Sequence, residues 1–374
     1  MIPLFKVFMS DTAASAVEKV LASGFVGEGP KVKEFERKLR KWFGIFHLAV
    51  TNSATSAEHL ALRLIKDPYR IVDGDEVLAT PLTCTATNWP ILANNLKIKW
   101  VDVDERNLNM DLDDLERKIT PTTRVIFLVH WGGYPVDLDR IKEIQQKTND
   151  LYGFTPVVIE DCAHAFGSTY KGKKLGNHGN FCTFSFQAIK HMTSVDGGAL
   201  ACPDEEAWAR AKLLRWYGID RETERTDFRC EADIPEWGYK FHMNDVNASI
   251  GIENLKHADW VIQQHRSNAA YYDKNLSGVT GVEILERAND RESSFWIYSM
   301  LVDDKSSFMS HMQNKGIAVS QVHERNDKHS CVQEFKTFLP NLDRVSKRLV
   351  SIPVGWWLEN KDREYIVNSI KEGW

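Results

Sequence analysis

The sequence predicts an α/β fold: a large, mainly parallel mixed-sheet domain followed by a smaller α+β domain. Three observations predict it. Short apolar runs alternate with amphipathic helical patterns over roughly residues 45–250, which specifies parallel strands covered on both faces. Beyond about residue 255 the pattern changes to strands with helices to one side. At 374 residues the chain exceeds one average domain, so a second core is expected. The expected division is 1–250, with an N-terminal helical segment, and 251–374.

Residues 13–22 and 31–43 carry helical patterns, separated by "SGFVGEGP", whose glycines and proline enforce a turn. "HLAVTNS" (47–53) reads as a strand that passes into "TSAEHLALRLI". There Ala57, Leu60, Ala61 and Leu64 recur at helical spacing, and Thr55 with Glu58 forms a predicted capping box. Strand-like runs follow at 75–80, 97–103, 123–130, 156–161, 181–186 and 198–202, with helical patterns at 84–94, 112–119, 137–147 and 204–217. A long helical stretch ends near 276. "VEILE" and "SFWIYSMLV" read as strands, and helices are expected near 305–315 and 361–371. Segments 218–240 and 322–332, rich in charge and histidine, read as loops.

Composition excludes several classes. Lys+Arg of 47 against Asp+Glu of 52 gives a net charge of -5, with no broad attraction for nucleic acid or an anionic membrane. The apolar stretch of the opening "MIPLFKVFMSDT" is interrupted by Lys6 and too short for a signal-peptide core, and no apolar run approaches the ~18 residues of a membrane span. The 6 cysteines form no C-x-x-C pair and read as reduced thiols of a soluble cytoplasmic protein. "GEGP" (27–30) lacks the strand-before, helix-after setting of a dinucleotide loop. Cys162, His164, His178 and Cys182 are too irregularly spaced for a zinc set, so no metal is expected.

Ligands of open α/β sheets bind beyond the carboxyl ends of strands, so polar residues there carry the functional reading. At "TNSATSAEHL" a strand meets a helix N-terminus, whose free N–H groups suit a phosphate. In "PVVIEDCAHAFG", Asp161 and His164 follow an apolar strand. In "FSFQAIKHMTSVDGGAL", Ser185 ends a strand-like run and Lys190 follows it; a partly desolvated lysine loses its proton and attacks a carbonyl. Asp196-Gly197-Gly198 then lets the backbone pass close to a ligand. Phosphate donors, an acid and a lysine together match what pyridoxal 5′-phosphate (PLP) requires: a Schiff-base amine, a carboxylate at the ring nitrogen and an anchored phosphate.

The chain resembles the PLP-dependent nucleotide-sugar aminotransferases of the DegT/DnrJ/StrS group over nearly its whole length. The resemblance runs through "SGFVGEGPKVKEFE" (23–36), "TNSATSA" (51–57), "GDEVLATPLTCTAT" (74–87), "VDVDERNLNMD" (101–111), "VIFLVHWGGYPVDLD" (125–139), "VIEDCAHAFGSTYKGKKLG" (158–176), "FSFQAIKHMTSVDGG" (184–198) and "GYKFHMNDVNASIG" (238–251). It implies the fold type I, aspartate aminotransferase-like architecture. Lys190 is then the Schiff-base lysine and proton shuttle, Asp161 the partner of the ring nitrogen, and His164 the group near the ring hydroxyl. The backbone of Ala54 and Thr55, with Ser185, would hold the phosphate. The implied reaction moves an amino group from L-glutamate to a keto group of a nucleotide-linked deoxysugar, for surface polysaccharide or related glycan biosynthesis. A homodimer with shared active sites is also implied.

The chain departs from the family pattern at three places. Ala54-Thr55 stands where Gly-Thr is usual, and Cys84 where an aromatic ring commonly stacks on the cofactor, with Trp89 a nearby substitute. Lys240 stands where an Asn often reaches across the dimer to the phosphate, and His242 where Arg is usual. Some relatives are dehydratases that replace the lysine by histidine; aligning from Ser185 puts Lys190 there, and a slip of one residue puts His191 there. A catalytically silent binding protein is the other alternative, opposed by the presence of Asp161, Ser185 and Lys190. His323, Arg325, Lys328 and His329 are expected to face the sugar nucleotide, an Arg or Lys meeting its diphosphate.

Overall fold

Most strands of the central sheet are runs of mostly apolar residues buried on both faces, whereas the edge strand Lys97–Trp100 alternates and exposes Lys97. The computed structural model describes residues 1–222 and 233–374. Helices α1 (Ala13–Ser23) and α2 (Pro30–Phe43) precede β1 (Leu48–Thr51), α3 (Ala54–Leu64), β2 (Glu76–Ala79), α4 (Thr85–Ala93), β3 (Lys97–Trp100) and α5 (Leu112–Lys118). Then come β4 (Thr123–Val129), α6 (Leu138–Tyr152), β5 (Val157–Asp161), β6 (Thr169–Tyr170), β7 (Lys173–Lys174), β8 (Phe181–Ser185), β9 (Gly198–Ala201) and α7 (Glu205–Leu214). The chain continues through α8 (Asp245–Leu255), α9 (Ala258–Leu276), β10 (Val282–Ile284), β11 (Arg291–Glu292), β12 (Tyr298–Val302), α10 (Lys305–Asn314), α11 (Pro340–Val345), β13 (Leu349–Ile352) and α12 (Asn360–Lys371).

The main sheet has seven strands in the order β1-β9-β8-β5-β4-β2-β3. Strand β9 is antiparallel to both neighbours, and the pairings from β8 to β3 are parallel, so the sheet is mixed and mainly parallel as expected. Successive residues of β4 feed opposite faces. Ile126 and Leu128 join Phe35 and Leu39 of α2, Ile141 of α6 and Ile252 of α8, while Val125 and Phe127 join Leu60 and Leu64 of α3 and Leu214 of α7. A third core, whose buried members run from Ala269 to Ile370, lies around the antiparallel sheet β10-β12-β13 and helices α9, α10 and α12. No described helix is long and apolar enough to cross a membrane.

The start of the chain ties these cores together. Ile2 forms a parallel bridge with Ile317, and the Trp357 and Trp356 indoles donate to the Pro3 and Lys6 carbonyls at 3.2 and 3.3 Å. Phe5 stacks on Trp296 at 5.1 Å, and the Ser10 N–H donates to Asn254 of α8 at 2.8 Å.

Two helix starts differ from the sequence expectation. The cap of α3 is Ser53, which has extended backbone and accepts from the Ser56 N–H at 3.1 Å; Thr55 lies inside the helix and Glu58 turns into the interior. At α2 the carboxylate of Asp245, far along the chain, accepts from the N–H groups of Gly29, Lys31 and Val32 at 2.9, 3.1 and 2.9 Å. That helix end already holds an anion, which gives "GEGP" a structural role.

Candidate active site

The phosphate end follows from strand register. Gly198 pairs with Thr51 of β1 and with Ser185 of β8, so the ends of three strands meet just before α3 begins. A Cβ on Gly198 would lie 2.4 Å from the Ser53 carbonyl carbon and 2.5 Å from the Ala54 nitrogen. Gly198 is therefore needed to seat the turn before α3 against β9, a closer cause than passage of backbone near a ligand. Among the described residues, the N–H groups of Ala54 and Thr55 donate to no protein acceptor. Ser185, 6% exposed, accepts from the Gln187 N–H at 3.4 Å and keeps its own proton for another acceptor. Open N–H donors at a helix start, with a serine hydroxyl beside them, fit a phosphate.

The acid lies one strand over. Asp161 ends β5 and is buried; Oδ2 accepts from the Thr87 hydroxyl at 2.7 Å and Oδ1 from the Ala163 N–H at 2.8 Å. Glu58, 1% exposed, reaches the same place from α3, its carboxyl meeting that of Asp161 and lying near the Cys84 thiol and the Lys190 amine. Burial, then the charge of Asp161 and the Cys84 thiol, push Glu58 well above the ordinary carboxyl range, with Lys190 opposing.

Lys190 lies five residues past Ser185, in a turn rather than at the strand end itself. The indole N–H of Trp296 donates to the Ile189 carbonyl at 2.9 Å and fixes that turn, and the Lys190 Nζ sits 3.4 Å from the Trp296 ring centroid. Burial lowers the amine to about 8 against the opposing pull of Asp161, Cys84 and Glu58. An amine so placed is partly unprotonated near neutral pH, the state that attacks a carbonyl.

Beside the amine is a layered stack of rings. Trp296 stacks on His164 at 4.1 Å, and His164 lies parallel to His323 at 5.3 Å. The Gly132 N–H points at His164 Nδ1 at 3.4 Å, which leaves His164 Nε2–H to donate to His323 Nε2 at 3.3 Å. Burial, then Lys190 and His323, hold His164 well below its usual value; burial, then Lys190, lower His323 to about 3. Both imidazoles are neutral, so they offer hydrogen bonds rather than charge.

Other expected residues are distributed differently. Cys84 is half-buried at the start of α4 and faces Glu58 and Lys190, whereas Trp89 packs edge-on to His329 at 5.7 Å. The indole against the amine is that of Trp296. Lys240 is exposed, with its carbonyl accepting from Asn52 at 3.2 Å just before the phosphate turn. His242 lies against Trp216 at 3.5 Å and is lowered to about 4 by burial, then Lys240. Arg325 does not offer its charge to a diphosphate: it is buried and spent on Asp327, at 2.7 Å, and on Asp343. Lys328 pairs with Glu324 at 3.1 Å. Part of the expected 218–240 loop, residues 223–232, lies outside the described residues.

His191 does not share the place of Lys190. Its Nε2 bonds the Ser294 carbonyl at 2.9 Å and its ring packs on His265 at 4.6 Å, so the one-residue slip finds no support. The imagined zinc set is not assembled, since His164 belongs to the ring stack. His130, Glu160 and Cys162 do converge, with ligand atoms within 4.8 Å of one another. The Val136 N–H donates to His130 Nδ1 at 3.0 Å, so Nε2 carries the ring proton and gives it to Glu160 at 2.8 Å, leaving no lone pair there for a metal.

Comparison with known proteins agrees with this geometry. The family model of the DegT/DnrJ/EryC1/StrS aminotransferase family matches residues 8–371. The solved AtS13 of Actinomadura melliaura is 53% identical with a TM-score of 0.96, covering 100% of this chain and 99% of that one. The sugar aminotransferase CalS13 of Micromonospora echinospora is 48% identical with a TM-score of 0.95, covering 100% of both chains. The UDP-4-amino-4,6-dideoxy-N-acetyl-beta-L-altrosamine transaminase of Campylobacter jejuni is 30% identical over 95% of this chain and 93% of its own length. A buried acid, a desolvated lysine and open phosphate donors thus stand in a chain matched almost end to end, and the chain belongs to the DegT/DnrJ/EryC1/StrS aminotransferase family.

Proposed function

We propose that this aminotransferase moves an amino group from L-glutamate to a keto group of a nucleotide-linked deoxysugar, with PLP as cofactor, in amino-sugar biosynthesis for surface polysaccharide or a related glycan. The observation that carries the reading is the Lys190 amine, lowered to about 8 and sharing a buried site with the Asp161 carboxylate. PLP, when bound, supplies an aldehyde that joins amines and a ring that withdraws electrons from the adjoining carbon.

The chain's own residues do the rest. Ala54 and Thr55 N–H and the Ser185 hydroxyl grip the phosphate, and Asp161 holds a proton at the ring nitrogen. His164, kept neutral, orients the ring edge through a hydrogen bond. Lys190 would hold the aldehyde through Nζ and, once the donor amine has displaced it, would take and return a proton at the substrate carbon. Trp296 and Phe5 close one side of the site against water. The same reading makes residues 1–250 the cofactor domain and 251–374 the smaller domain, and has two copies pair so that Lys240 of each reaches the other's phosphate.

Borohydride reduction of the PLP-loaded protein followed by peptide mapping is expected to find the pyridoxyl group on Lys190. Lys190→Ala is expected to lose amino transfer by at least about 10²–10⁴-fold across a panel of keto-sugar nucleotides with glutamate. Unchanged turnover in that variant would refute the reading.

A further inference from the structure

The carboxyl of Glu58 has no assigned role. A carboxyl in the first turns of an exposed helix normally faces water, yet this one is 1% exposed, and its buried Oε2 receives no hydrogen bond from any described residue. The groups that face it are Asp161 from the end of β5, Cys84 from the start of α4, and Lys190 from the turn after β8. It forms no ion pair with an arginine or lysine among the described residues. Asp161 already accepts from Thr87 and Ala163. Two carboxyl groups in contact, both out of water, cannot both ionise cheaply, and the contact becomes a hydrogen bond only if a proton lies between them.

We propose that Glu58 is a positioning residue of this site: the Glu58–Asp161 pair holds one proton, and neutral Glu58 uses it to donate to Asp161 and aim that carboxylate at the cofactor's ring nitrogen. The proposal rests on the PLP-binding reading above for its consequence, though not for the shared proton. Three donors then surround Asp161, from α3, α4 and the turn after β5, and fix its orientation.

The test starts with cofactor-free protein at neutral pH. Infrared difference spectra between the parent and Glu58→Gln are expected to show the carbonyl stretch of a protonated carboxylic acid in the parent alone. Absence of that band overturns the proposal. In Asp161→Asn the pH midpoint of the band is expected to fall by more than about one unit, because the like charge has gone. An unmoved midpoint would mean an isolated buried acid and also overturns it. In PLP titrations, Glu58→Gln, which keeps a donor, should bind as the parent does, and Glu58→Ala about tenfold or more weakly. Equal affinity of the two variants removes the positioning role. If no form binds PLP, the proposed function fails while the infrared result still stands or falls by itself.

Discussion

At the scale of single residues, the site is a set of groups taken out of water and partnered unequally. Lys190 is the clearest case, since burial lowers its amine to about 8 while nearby carboxyl groups pull the other way. The unprotonated amine is the reactive form, so its population rises as pH rises through the lowered value. Competitive labelling of cofactor-free protein, read by mass spectrometry, should show Lys190 reactivity climbing around pH 8, well below the ordinary lysine range near ~10.4. A midpoint matching that of exposed lysines would contradict the burial argument. Asp161, Ser185 and Lys190 were legible in the sequence because each follows an apolar strand, where open sheets bind ligands. Trp296 was not legible, because nothing near it in the chain foretells contact with a lysine more than a hundred residues earlier. Glu58 was misread because its spacing from Thr55 imitates a capping pair, while Ser53, Thr55 and Ser56 within four positions left the true cap undetermined.

Secondary-structure elements were legible where one apolar pattern decided them. Most strands of the large sheet are buried on both faces and stand out as apolar runs; the pairs β6–β7 and β6–β11 involve two-residue strands and carry no such signal. Strand β13 was missed because its short apolar run is broken by Ser351 and stops just before Pro353. The Asp245 cap of α2 crosses too much chain to be inferred from spacing. Register has the sharper consequence. Gly198 lets β9 lie against the Ser53–Ala54 peptide, and a methyl group there meets backbone at 2.4 Å rather than a movable side chain. Gly198→Ala is therefore expected to cost about 1–3 kcal/mol in denaturant melts. It should also weaken binding of PLP more than of phosphate-free pyridoxal. A variant with parental melting and parental PLP affinity would show that the turn has room to spare.

For the molecule as a whole, two faces of one sheet and a separate third core were foreseeable from the change of pattern near residue 255. A paired assembly is expected from the resemblance alone. The proposed shared site predicts a light-scattering mass twice 42.8 kDa. Mixing Lys190→Ala with Lys240→Ala subunits should then restore transfer above either parent, because one site of each mixed pair is whole. A monomer, or mixtures no better than their components, would remove the cross-subunit role of Lys240.

The first ten residues have a consequence of their own. Ile2 is bridged to Ile317, Phe5 leans on the indole that meets the reactive amine, and Ser10 is tied to α8. This leading strip works like a clasp between the smaller core and the catalytic wall, so an affinity handle fused directly ahead of Met1 would tug on the amine's surroundings, and one placed at the far end would not.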